Sequence, residues 1–148
     1  PMPIFNQDLE QAQGLPEEAR AFKQLLIESD GFLIASPEYN SAFSPLLKNA
    51  LDWASRAETE EEKPLLAYRG KVAVIMAASP GSLGGLRGLV FLRMLLNNLA
   101  ITVLPEQLAI SGAASAFSED GALRNTNQHQ AVINLGATLC QTLNKLTD

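Results

Sequence analysis

Residues 31–40 read Gly31-Phe32-Leu33-Ile34-Ala35-Ser36-Pro37-Glu38-Tyr39-Asn40 (GFLIASPEYN), and this stretch decides the fold class. Gly31 to Ser36 is a short, continuously apolar run between Gly and Pro, the pattern of a strand covered on both faces. Pro37 ends it, because it lacks a backbone donor and pushes Ser36 into extended geometry. A second run of the same kind, Lys71 to Ser79 (KVAVIMAAS), leads into the glycine-rich turn Pro80-Gly81-Ser82-Leu83-Gly84-Gly85. Helical patterns surround both runs. Pro16 to Ser29 carries Pro and two acids at its start, then Ala19, Phe22 and Leu26 at helical spacing. Ser44-Pro45 reads as an N-cap followed by Pro at N1, and Leu46, Leu47, Ala50, Leu51 and Ala54 continue one face. Leu86 to Ala100 is a long helix, apolar nearly all round. About Gln128 to Leu146, a last helix places Val132, Leu135, Gly136, Leu139, Cys140, Leu143 and Leu146 on one stripe. Doubly apolar strands alternating with such helices specify an α/β fold with a largely parallel sheet.

The other segments carry weaker signals. Pro1 to Gly14 reads as irregular, and Glu58 to Lys63 (ETEEEK) as a solvated loop. Ile101 to Ser111 reads as two short extended pieces flanking Pro105, and Gly112 to Thr126 as a small, polar loop or excursion.

Composition limits the function classes. The chain has 148 residues, 47% hydrophobic and 18% charged, one domain able to bury roughly 70% of its unfolded surface. A net charge of −5 argues against nucleic acid as a partner. The longest apolar stretch, around Leu89 to Leu99, is broken by Arg93, Asn97 and Asn98, so no membrane span is expected. One cysteine cannot form an internal disulfide, which fits a reducing compartment and a cytoplasmic protein.

In parallel α/β folds, ligands bind beyond the carboxyl ends of the strands, where both SPEYN and SPGSLGG leave the sheet. Rival chemistries lack residues. His129, the sole histidine, sits in a polar context at a helix start, and no metal ligand set accompanies it. Cys140 falls on an apolar helical stripe and reads as a small buried hydrophobe. No nucleophile-elbow spacing surrounds Ser79 or Ser82. Trp53 reads as packing.

Ser36-Pro37-Glu38-Tyr39-Asn40, followed by Pro45-Leu46-Leu47-Lys48-Asn49-Ala50-Leu51-Asp52-Trp53-Ala54-Ser55-Arg56, resembles the signature of the NAD(P)H-dependent FMN reductases. These are flavodoxin-like proteins that include bacterial chromate/quinone reductases and azoreductases. Pro3 to Glu10 resembles the family segment leaving its second strand, and Gly84-Gly85-Leu86-Arg87 the loop after its fourth. The resemblance implies a three-layer flavodoxin-like sandwich binding FMN, with NAD(P)H as co-substrate and a quinone, azo, flavin or metal acceptor. It also implies a homodimer or homotetramer, with the apolar helix Leu86 to Ala100 half covered by another subunit.

Carried over by motif, the resemblance nominates Pro37, Glu38, Tyr39 and Asn40 along the flavin ring, and Ser79, Gly81, Ser82, Gly84 and Gly85 at its pyrimidine edge. The residue chemistry is compatible. Pro37 stiffens the first loop, Tyr39 offers an aromatic wall with a hydroxyl, and Asn40 supplies donor and acceptor. Glycines let the second loop approach closely and present N–H groups. Glu38 reads as a solvated acid without an acid/base role, and Arg87 as an anion contact or a surface or inter-subunit ion pair. No catalytic acid or base is expected, because the cofactor carries the chemistry. The alternatives are a flavin-binding electron-transfer or regulatory module without its own nicotinamide turnover, and a scaffold that has lost its cofactor site.

The family's phosphate loop, at a helix N-terminus after its first strand, has no match here. The chain supplies the family's third to fifth strands, while flavodoxin-like sheets run 2-1-3-4-5. The expectation is a natural protein with roughly 30 to 45 more residues before Pro1, the length of a βαβ segment. The alternative is a fragment that pairs by strand exchange.

Overall fold

The computed structural model describes residues 2–147. Its elements run α1 (Gln7–Gln13), α2 (Glu17–Glu28), β1 (Gly31–Ala35), α3 (Pro45–Ala54), β2 (Val72–Ala78), α4 (Leu86–Asn98), β3 (Thr102–Ile110), α5 (Ala113–Ala116) and α6 (Thr126–Thr147). The strands form one parallel sheet in the order β1-β2-β3. Successive β2 side chains point to opposite faces. Ala73, Ile75 and Ala77 enter a core with Leu51 of α3 and Leu89, Leu92 and Leu96 of α4, while Phe22 and Leu26 of α2 pack against it. Val72 and Val74 face the other way, onto Leu135 and Leu139 of α6. Helices thus cover both sheet faces, the three-layer α/β arrangement that the strand patterns specify.

Cover on both faces is close over residues 72–75 of β2, all buried, but not over β1. Among the described residues β1 pairs with β2 alone, and its Leu33 is 50% exposed. Apolar cavities of about 350 and 380 Å³ adjoin it, the first lined by Phe32, Leu33 and Ile34, the second by Ala35.

Three local expectations need correction. Within the stretch read as irregular, Gln7–Gln13 is helical because the Asn6 side chain accepts from the Asp8 and Leu9 N–H groups. A seven-residue helix offers too few turns for a periodic signal. Its Leu9 packs with Phe5 around buried Leu15, Ala19 and Trp53. Residues 102–110 form one strand rather than two pieces. The register jumps from Ala73↔Val103 to Ile75↔Gln107, so Pro105 sits in a bulge on an edge strand, where a missing N–H is tolerated. Arg93 holds the bulge, donating to the Val103 and Leu104 carbonyls (3.1 and 2.7 Å) and to the Gln107 side chain (2.9 Å). The run Glu58–Lys63 is a loop, yet not simply solvated. Glu62 pairs at 2.5 Å with Lys23, which is 2% exposed and also donates to the Arg56 carbonyl.

The last helix is correctly placed, but its apolar stripe is narrower than expected. Leu135, Leu139 and Leu143 pack on the sheet, whereas Cys140 is exposed rather than buried. It lies one position beyond Leu139, which turns it past the sheet-facing edge of the helix. Residues 112–126 contain α5 and a bridge between Phe117 and Leu123. Trp53 is fully buried, its ring edge-on to Phe5 with centroids 4.9 Å apart. No helix among the described residues is long and apolar enough to cross a membrane.

Candidate functional site

Two loops leave the sheet side by side at the carboxyl ends of β1 and β2. The first is a tight hairpin. Tyr39 and Ala42 exchange backbone hydrogen bonds of 2.8 and 3.0 Å, and the residues between them, Asn40 and Ser41, have φ of 51° and 68°. Two consecutive positive φ values make a type I′ turn, a conformation that Asn tolerates well. The turn leaves Tyr39 58% exposed. Behind it, Ser36 is buried, donates to the Pro37 carbonyl and accepts from Ser44 N–H. Ser44 then caps α3 by accepting from Leu47 N–H, with Pro45 at N1.

The second loop, Pro80 to Gly85, turns from β2 into α4. Gly84 and Gly85 have φ of 62° and 94°. A Cβ on Gly84 would lie 2.7 Å from the Ile110 carbonyl carbon, and one on Gly85 would lie 2.6 Å from Ala77 Cβ. Their lack of side chains is therefore demanded by the protein's own packing, against backbone at Gly84 and against the Ala77 side chain at Gly85. Gly81 differs, since a Cβ there would meet only Ser79 Oγ, at 3.8 Å. The backbone N–H groups of Ser82, Leu83 and Gly85 have no acceptor among the described residues.

Glu38 joins the loops. Its carboxylate accepts from Gly88 N–H and from Arg87 Nη2, each at 3.0 Å. Its side chain is 8% exposed, against 61% for Arg87, so it is not the solvated acid that the sequence suggests. The Gly88 N–H, chiefly, holds the carboxyl below the ordinary carboxylate value; partial desolvation opposes this and Arg87 adds to it. Arg87 thus pairs within its own chain.

The structure brings Glu38, Ser79, Gly81, Ser82, Gly84 and Gly85 around one cavity of about 280 Å³. Pro37 and Tyr39 instead line a neighbouring cavity of about 450 Å³ with Ser44, Leu46 and Leu47. Asn40 stands at the tip of the hairpin. Unpaired N–H groups beside an open glycine and an exposed tyrosine match what a flat heteroaromatic ring with a carbonyl-bearing edge requires. Among the described residues, no three His, Cys, Asp or Glu side chains are grouped as metal ligands. His129 lines the apolar cavity beside β1.

The signature helix has a different task. Asn49 accepts from Phe5 N–H (2.7 Å) and donates to the Pro3 carbonyl (2.8 Å). Its conspicuous residues pin the N-terminal segment. The residues that sequence reasoning missed are Gly88, whose N–H Glu38 takes up, and Asn49. The signal for Gly88 is its place three residues beyond Gly85, an N-cap without a side chain.

Residues 1–115, which include both loops, match the model of the NADPH-dependent FMN reductase family. The chain belongs to that family. It is 35% identical over 132 residues to the NAD(P)H-dependent FMN reductase of Pseudomonas aeruginosa, covering 88% of this chain and 68% of that one. It is 42% identical over 83 residues to a 2-hydroxy-1,4-benzoquinone reductase from Burkholderia, covering 56% of this chain and 42% of the relative. Among solved structures, the flavoenzyme NAD(P)H:(acceptor) oxidoreductase FerB from Paracoccus denitrificans superposes with a TM-score of 0.80 at 27% identity. That match covers 97% of this chain and 76% of FerB. The chain thus spans between about two fifths and three quarters of the length of these relatives. Membership of the FMN reductase family agrees with the three-layer fold and with the expected cofactor pair, FMN and NAD(P)H.

Proposed function

We propose that the protein is an FMN-dependent NAD(P)H oxidoreductase whose flavin ring is held by Pro37, Glu38, Tyr39 and Asn40 on one side and Ser79, Gly81, Ser82, Gly84 and Gly85 on the other. One observation carries the reading: Glu38 ties the two loops together beside a cavity whose glycine-rich rim has unpaired backbone donors. FMN, when bound, supplies the hydride and electron chemistry that links a nicotinamide to a second acceptor. The chain's part is to bind and orient. Ser82 and Leu83 offer N–H groups to the ring's polar edge, Gly81 lets it approach, and Tyr39 offers an aromatic wall with a hydroxyl. Gly84 and Gly85 serve by keeping that loop pressed against β2 and β3. No acid or base of the chain is needed at the reacting atoms.

The Burkholderia relative's name supports a quinone as acceptor, with azo compounds, free flavin and oxidised metal as the other small-molecule candidates. Leu86, Val90 and Met94 form an exposed apolar row on α4 at four-residue spacing. This row supports a homodimer or homotetramer built on that face. The single cysteine supports a reducing, cytoplasmic setting.

The test is spectroscopic. The purified protein, given FMN, is titrated anaerobically with NADPH and NADH while its visible flavin band is followed. Loss of the band with nicotinamide, and its return when a quinone is added, is the expected result. A protein that retains no FMN overturns the reading. One that binds FMN but is reduced only by dithionite is the electron-transfer or regulatory module instead.

A further inference from the structure

The N-terminus of α4 presents an unusual arrangement. Its N-cap is Gly85, which has no side chain to satisfy the first-turn N–H groups. The missing cap comes from another loop. Glu38, fifty residues away in sequence, accepts from Gly88 N–H, the N3 position, at 3.0 Å. A carboxylate there also complements the positive end of the helix dipole. The fit is close, since a Cβ on Gly88 would lie 3.3 Å from Glu38 Cγ and 3.4 Å from the Ala42 carbonyl oxygen. Glycine at 88 therefore lets the hairpin sit against the helix start, and Glu38 holds it there.

We propose that Glu38 is a positioning residue: by capping α4 from the hairpin through Gly88 N–H, it sets the separation of the two loops that hold the flavin. This rests on the proposed flavin site and goes beyond it. The side chain acts on the ring only through the backbone it fixes. Its charge is taken up by Gly88 and Arg87 and does not stand open toward an anionic ligand. Arg87, mostly exposed, is the lesser of the two anchors. The arrangement also accounts for an acid at the centre of a loop whose other members are uncharged.

The experiment compares Glu38→Ala, Glu38→Gln and Arg87→Ala with the parent protein, measuring the FMN dissociation constant by fluorescence and the melting temperature of the flavin-free form. Glu38→Ala is expected to weaken FMN binding about tenfold, the scale of one lost charge-assisted hydrogen bond. Glu38→Gln keeps an oxygen for Gly88 N–H and is expected to recover most of that loss. Arg87→Ala is expected to cost less than Glu38→Ala. The flavin-free melting temperature should fall by no more than a few degrees in Glu38→Ala, the scale of one lost helix cap of about 1 kcal/mol, and less in the other two. The proposal is overturned if Glu38→Ala binds FMN like the parent, if Glu38→Gln is no better than Glu38→Ala, or if Arg87→Ala is the more damaging change. A Glu38→Ala protein that does not fold, or melts far below the parent, also overturns it, since the residue then serves the fold. A parent that binds no FMN removes the flavin reading itself, a result separate from any difference among the variants.

Discussion

The indole N–H of Trp53 donates to the carbonyl oxygen of Pro3 at 2.8 Å, joining α3 to a segment fifty residues earlier. Asn49, one helical turn before Trp53, donates to the same carbonyl. Trp53→Phe keeps most of the apolar volume but loses this bond and leaves a gap in a fully buried site. Thermal unfolding should register a loss of about 2 kcal/mol. A variant as stable as the parent would show that the Trp53 bond adds nothing to the other contacts that hold the N-terminal segment.

Acid should loosen the packing of α2 against the Glu58–Glu62 loop. Burial disfavours charge on Glu62, but the Lys23 ammonium and the Glu58 N–H outweigh it and hold the carboxyl below its ordinary value. A carboxyl whose folded value is depressed contributes stability above its unfolded value, near 4.5. That contribution is lost as pH falls through the lower, folded one. Glu62→Gln should therefore be less stable than the parent at pH 7, with the difference closing at pH 3. Denaturant melts at the two pH values check the sign.

Replacing Lys23 with Ala strands Glu62 without its partner and opens space beneath it. A loss of about 3 kcal/mol is expected, as for one member of a buried pair. Lys23→Met, which fills the space but cannot pair, should lie between the two. A Lys23→Ala protein within 1 kcal/mol of the parent would mean that solvent reaches the pair freely (the threshold being about the worth of an exposed ion pair).

Gly84 and Gly81 should separate fold from ligand. Gly84→Ala forces a Cβ to within 2.7 Å of the Ile110 backbone at a φ of 62°, so a loss of at least about 2 kcal/mol is expected. Gly81→Ala meets only Ser79 Oγ at 3.8 Å and should melt like the parent. If the proposed flavin site is right, Gly81→Ala nonetheless weakens FMN binding. Equal melting temperatures for the two variants would contradict the packing described here.

Ala100 closes α4 in a left-handed conformation, with φ of 63°. Ile101 N–H bonds the Leu96 carbonyl and Ala100 N–H that of Asn97, the pattern that usually recruits glycine. Ala100→Gly removes a strain of about 1 kcal/mol, partly offset by the freer unfolded chain. A gain of about 0.5 kcal/mol should appear in urea melts.

Much of the fold was legible because its signals are local. The apolar runs at 31–36 and 71–79, the Ser44-Pro45 cap and the period of the last helix each depend on near neighbours. The same holds for the two strand-end loops, whose Pro, Asn and Gly mark where the chain must turn. Residue identity alone was enough to say that the chain is α/β and to nominate the loops beyond β1 and β2 as the candidate site. The rest depends on distance in space rather than in sequence. Nothing local separates Glu38 from a solvated acid, because what buries it is a helix start fifty residues on. Gly84 and Gly85 read as room for a ligand, yet it is Ile110 and Ala77 that require them bare. Pro105 reads as a break, and it is pairing with β2 on both sides of the bulge, with Arg93 bonded across it, that makes one strand. Sequence by itself determined most of the elements and the end of the sheet where the candidate site lies. The tertiary structure decided which side chain ties its loops together and which glycines must stay bare, since a hydrogen bond or a steric limit exists only once both partners are in place.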